Sequence, residues 1–204
     1  MKKFIILLFL VSNCLNLNSK CVKLFAYSKN DNVSHDIEVM KKYHSLYGRD
    51  DVDYENIYLT IDYWADFYKI DLYLALSFFS IESGFTYDCK SNYGAVGMGQ
   101  LTEVALKDYN NYYRESINFE KLNGKENYDI NIKVSIGYMR LCLNKYNSII
   151  KDTSDLIKSY NIGVGNLKKI KNGEYSVNNF WAISANKYSS KFNEVYSDFI
   201  NHRR

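Results

Sequence analysis

Apolar residues recur at helical spacing through most of the chain. Ile37, Met40, Tyr43 and Tyr47 form one series, and Ile57, Ile61, Trp64, Ala65 and Tyr68 form a second; such stripes predict helices with one face turned to a core. Between residues 72 and 82 the pattern changes. Leu72, Leu74, Ala75, Leu76, Phe78, Phe79 and Ile81 leave almost no polar side, which predicts a helix buried all round, with Asp71 as its N-cap. A Gly- and polar-rich stretch covers 83–99. Helical patterns return over 100–112, 131–146, 154–160 and 178–200, and 114–130 reads as a surface loop around Gly124. Strand-like alternation is scarce and no fixed repeat is present, so the expected fold class is all-α, in one predominantly helical domain over 36–204.

The N-terminus follows different rules. Lys2 and Lys3 precede eight apolar residues, Phe4 to Val11, the layout of a secretory signal, and too short for the roughly 20 residues a membrane anchor needs. Residues 1–20 are therefore read as a signal peptide. Val11-Ser12-Asn13-Cys14 resembles a lipobox, which would make a lipid on Cys14 the one membrane attachment; cleavage near Ser19 or Ala26 is the alternative. Residues 21–35, rich in Asn, Ser and Lys, read as a tether or disordered arm. The expected location is outside the cytoplasm, in the periplasm or cell envelope.

Composition removes several function classes. With 47% hydrophobic and 16% aromatic residues, the chain of 204 can bury a core and is not disordered. Its formal charge of +3 suggests nucleic acid at first sight, but Lys2, Lys3 and Lys20 stand in a segment with no acid, leaving 23 basic against 23 acidic residues. No basic stripe remains, and no nucleic-acid partner is expected. Cys89 and Cys142 lie in the domain, either bonded to each other, as an exported setting permits, or as two small buried side chains. No metal-ligand spacing is present, and neither metal nor cofactor is expected. His35, His44 and His202 lie outside the chemistry-bearing segments and read as solvated.

That chemistry begins where the apolar helix ends, in Glu82-Ser83-Gly84-Phe85. A carboxyl between a hydrophobic core and a loop is expected to have a raised pKa, since desolvation penalises its charged form. An acid kept protonated near neutral pH can hand a proton to a glycosidic oxygen. Ser91 follows, then Gly94-Ala95-Val96-Gly97-Met98-Gly99-Gln100, whose glycines permit tight turns and whose Gln100 is expected at the start of the next helix. No GxxxxGK[ST] pattern and no preceding strand are present, which argues against a phosphate loop. Tyr160-Asn161-Ile162-Gly163-Val164-Gly165 taken alone reads as a helix C-cap. Asp88, the only other acid between Glu82 and Gln100, reads as a solvated loop residue. Most of the tyrosines recur at helical spacing and read as packing residues.

Taken in order, these pieces resemble the lytic transglycosylases, whose SLT-type catalytic domain has a goose-lysozyme-like α-helical fold with a substrate groove. The family pattern runs from an Asp opening an apolar helix through an ESxF-like turn, a Ser, a GAxGLMQ segment, an NIxxGxxYL helix and a YNxGxG turn. Here it reads Asp71, Glu82 to Phe85, Ser91, Gly94 to Gln100, Asn131-Ile132 with Gly137-Tyr138, and Tyr160 to Gly165. The resemblance implies peptidoglycan as substrate, with Glu82 as the single acid/base cleaving the β-1,4 bond between N-acetylmuramic acid and N-acetylglucosamine and leaving 1,6-anhydro ends. It implies substrate-binding roles for Ser91, Gln100, Tyr160, Asn161 and Tyr138, and supporting roles for Ser83, Gly94, Ala95, Gly97 and Gly163. Cell-wall or secretion machinery would be the associated partners. Met98-Gly99 departs from the commoner Leu-Met, which implies a lost groove-lining Met at 99. A goose-type lysozyme, hydrolysing the same bond with water, and a non-catalytic glycan-binding or assembly factor are the alternatives.

Overall fold

The structure, a computed structural model, describes residues 31–47 and 52–201. The signal, the lipobox at Cys14 and most of the tether segment lie outside the described residues. Eight α-helices follow in order: α1 (Asp31–His44), α2 (Tyr54–Tyr68), α3 (Leu72–Glu82), α4 (Glu103–Tyr113), α5 (Tyr128–Lys145), α6 (Thr153–Ile162), α7 (Val164–Lys171) and α8 (Phe180–Ile200), with two short 3-10 turns between α4 and α5. Among the described residues the only β pairings are two isolated bridges, Lys90 with Val96 and Val96 with Leu101. The fold is all-α, as its periodicity predicts.

The caps explain where the helices start. Asp53, Asp71, Thr102, Asp152 and Asn179 each accept a backbone N–H of the first turn through their side chains, which satisfies donors that no helical carbonyl can reach. α2 ends on Lys69 in the left-handed region, at φ 54°, and Arg140 of α5 donates to the carbonyls of Tyr68 and Lys69.

α3 is the axis of the domain. Every residue from Tyr73 to Ile81 is buried, because α1 and α2 cover one side and α8 the other. α5 closes against α2 and α4, and α6 joins α8. The core they share includes Phe78, Phe79, Phe85, Met98, Ile132, Phe192 and Phe199. This enclosure brings the C-terminal end of α3 to a rim shared by three chain segments distant in sequence.

Some boundaries differ from the sequence pattern. α1 begins at Asp31, so residues 31–35, read as tether, are helical; Val33 is buried and extends the Ile37 and Met40 stripe by one turn. α7 begins directly after Gly163 and buries only Leu167, too little for a legible stripe.

Candidate active site

The turn after Glu82 is unusually constrained. Gly84 and Phe85 both lie in the left-handed region, at φ 56° and 65°. A Cβ on Gly84 would stand 2.5 Å from Cδ2 of Tyr47, so only glycine fits there. Phe85 accepts the strain because its ring is fully buried. Two hydrogen bonds hold the turn. Ser83 Oγ donates to the Met98 carbonyl at 2.7 Å, and His44 Nδ1 donates to the Gly84 carbonyl at 2.7 Å. His44 is buried and His35 is hydrogen-bonded to the Asp198 carbonyl, which corrects the solvated reading of both; helix packing, invisible to spacing, encloses them. His202 lies outside the described residues.

The glycine loop packs against this turn, organised by Asn131 of α5. Its Oδ1 accepts from Gly99 N at 2.8 Å, and its Nδ2 donates to the carbonyls of Leu122 at 2.7 Å and Val96 at 3.3 Å. Gly97 has φ 71°, and a side chain on it would collide with the Leu122 carbonyl and Asn131. Gly94, at φ 80°, faces open space, so it serves the turn alone. Ala95 is buried. A Cβ on Gly99 would collide with Ser135 Oγ: position 99 faces α5, and Ser135 occupies the room a Met would need. Met98 is fully buried in the core.

Gln100 differs from expectation. It lies in the loop, at φ 48°, with α4 starting only at Glu103. Its Nε2 donates to the Cys89 and Gly97 carbonyls at 3.0 and 2.9 Å, so its amide first ties the loop to itself. Ser91 Oγ accepts from Tyr93 N and Ala95 N, which leaves its hydroxyl proton available to another acceptor. Tyr160 donates from its hydroxyl to the Gly99 carbonyl at 2.9 Å, joining α6 to the loop. Tyr138 stands behind it, its ring at an edge to Tyr160 and its hydroxyl paired with Cys142, a place that supports Tyr160. Gly163, at φ 79°, ends α6. Asn161 is exposed and accepts from Ser184 of α8 at 2.9 Å. Cys89 and Cys142 are free thiols; Cys142 is buried, as the small-side-chain alternative expects, whereas Cys89 is half-buried.

The carboxyl itself sits where α3 meets α8. Tyr188 donates from its hydroxyl to Glu82 Oε1 at 2.5 Å. Burial pushes the Glu82 pKa up to about 7, against the opposing pull of the Tyr188 hydrogen bond and the Lys191 charge. Desolvation therefore wins over both charge-stabilising neighbours. Among the described residues no carboxylate shifts it; Asp88 is exposed. Sequence reasoning missed Tyr188, which is 106 residues from Glu82. The only signal was the row of Trp181, Ser184, Tyr188 and Lys191 at helical spacing. A separate groove of about 590 Å³ beside α4, lined by Val104, Asn110 and Ile117 among others, contains none of these residues.

The arrangement can donate and recover one proton at a rim bounded by the Glu82 turn, the glycine loop, the Tyr160 end of α6 and α8. Comparisons with known proteins bear on what that rim does. No curated protein matches the chain. Nine solved chains do. One is an inactive variant of the lytic transglycosylase Slt from Pseudomonas aeruginosa, which aligns with a TM-score of 0.54 at 17% identity, over 70% of this chain and 23% of that one. The chain thus spans less than a quarter of that protein, and at this identity the likeness is one of fold. The family model of the transglycosylase SLT domain matches residues 60–181, a segment that holds Glu82, the glycine loop and the Tyr160 turn, and the chain belongs to the transglycosylase SLT domain family.

Proposed function

We propose that the protein is a peptidoglycan lytic transglycosylase which cleaves the β-1,4 bond between N-acetylmuramic acid and N-acetylglucosamine, with Glu82 as sole acid and base, and leaves 1,6-anhydromuramyl ends. The observation that carries this is the Glu82 carboxyl, with its pKa raised to about 7, one oxygen held by Tyr188, and no second carboxylate among the described residues acting on it. Glycosidases with two enzyme carboxylates use the second as nucleophile or base; a site with one needs the substrate to supply that group.

In this reading protonated Glu82 gives its proton to the glycosidic oxygen as the bond to the muramyl anomeric carbon breaks. The muramyl N-acetyl oxygen bonds to that carbon. Glu82, now a carboxylate, takes the proton from the muramyl C6 hydroxyl, whose oxygen displaces the N-acetyl oxygen and closes the 1,6-anhydro ring, which regenerates the acid. Tyr188 holds Oε1 throughout, which leaves Oε2 to carry the proton. Ser91, Tyr160 and Asn161 line the glycan path, with Gln100 shaping the loop beside them.

Such an enzyme works in the cell envelope, on peptidoglycan strands, exported by the N-terminal signal and tethered if Cys14 is lipidated, near cell-wall or secretion machinery. No described helix is long and apolar enough to cross a membrane. Purified sacculi test the reading: the wild type should release anhydromuramyl products and Glu82→Gln none, with matching thermal melts. If both proteins bind sacculi and leave them intact, the glycan-binding alternative replaces the enzyme.

A further inference from the structure

One stripe of α8 borders the candidate site. Trp181, Ser184, Tyr188 and Lys191 stand three or four residues apart and so share a helix face. Their contacts agree: Ser184 meets Asn161, Tyr188 meets Glu82, and Lys191 Nζ donates to Tyr47 Oη at 2.8 Å. At the α-helical rise, Lys191 lies about 4.5 Å further along the axis than Tyr188.

Lys191 is fixed over the Glu82 turn. Tyr47 donates to the Ile81 carbonyl at 3.3 Å, its ring lies against Gly84, and the ammonium stands 5.5 Å from that ring's centroid. Both side chains are exposed. The ammonium has three donors and Tyr47 takes one. Lys191 forms no carboxylate pair among the described residues; many surface lysines share that, and what sets Lys191 apart is its place over the Glu82 turn. A neutral phenol braces the ammonium, and its charge acts on the Glu82 carboxyl. An exposed cation held in this way beside the candidate acid can meet an anion that arrives with the ligand.

We infer that Lys191, braced by Tyr47, is a subsite for a carboxylate carried by the muramyl substituent of the glycan, so that the groove favours acidic strands over uncharged β-1,4-linked N-acetylglucosamine strands. The inference rests on the transglycosylase reading. Two sources share the chemistry: the stem peptide, and the lactyl group once the peptide is removed.

Binding to the full chain carrying Glu82→Gln separates these effects, since no carboxyl at 82 is then left for Lys191 to act on. The probes are soluble peptide-bearing glycan strands, the same strands stripped of peptide by an amidase, and chitohexaose. Adding Lys191→Gln should weaken at least one acidic probe about tenfold, the scale of one charge-assisted hydrogen bond, and leave chitohexaose unchanged; Lys191→Arg should restore most of the loss. Loss confined to the peptide-bearing probe assigns the stem carboxylate, and loss confined to the stripped probe assigns the lactyl one. Equal weakening of all three probes, or none on either acidic strand, overturns the subsite while leaving the transglycosylase reading in place. If the Glu82→Gln parent binds none of the probes, both fall.

Discussion

Replacing Tyr188 by Phe removes one hydroxyl from the candidate site and keeps the ring. That hydroxyl donates to Glu82 Oε1 at 2.5 Å and opposes the upward push of burial on the Glu82 pKa. A hydrogen bond to a charged acceptor contributes about 1.5–3 kcal/mol and one to a neutral group about 0.5–1.5, so the bond favours the carboxylate over the acid by roughly 1–1.5 kcal/mol. At 1.36 kcal/mol per pH unit, its loss should move the Glu82 pKa from about 7 to about 8. The assay is the pH dependence of sacculus solubilisation. Its alkaline limb, which reports loss of the protonated acid, should move up by about one unit. The plateau rate should fall, by up to about 100-fold, because Oε1 has lost the group that orients it. An alkaline limb that stays in place or moves down would refute the reasoning, provided the variant melts like the wild type.

The same carboxyl makes a prediction about stability. Its folded pKa of about 7 lies above the ordinary 4.5, so the folded state favours the protonated form: its contribution is fully present below about pH 4.5, is lost between there and about 7, and stays lost above. Relative to wild type, Glu82→Gln should therefore gain about 2–3 kcal/mol across that window in urea unfolding; a constant difference from pH 4 to 8 would contradict the assigned shift. Gly97→Ala tests the loop. At φ 71°, with the Leu122 carbonyl and Asn131 in the way, it should cost about 3 kcal/mol or more and depress activity, and a cost below about 1 kcal/mol would show that the loop yields.

How much of this was legible in sequence depends on the range of the interactions. α3 could be read closely because its signals are local: Asp71 caps Leu74 N, and the apolar run ends at Glu82. The raised Glu82 pKa followed from the same run. Tyr188 was hard to read since its partner lies on another helix and it is one of 20 tyrosines; its helical row with Trp181, Ser184 and Lys191 does not say which site that row faces. His44 was misread for a related reason: its acceptor is a backbone carbonyl 40 residues away, and carbonyls leave no trace in a sequence. Gln100 was placed on a helix because a side chain that bonds to its own loop looks no different, in one dimension, from one that starts the next element. Gly99 read as a lost Met, yet Ser135, from α5, explains it.

Mass spectrometry of muropeptides released from purified sacculi tests the central claim most directly. A single carboxyl that protonates the leaving oxygen and then deprotonates the muramyl C6 hydroxyl predicts 1,6-anhydromuramyl ends, which lack one water relative to reducing ends, and predicts their absence with Glu82→Gln. Reducing muramyl ends without anhydro ends from the wild type would contradict the account and assign the site to hydrolysis.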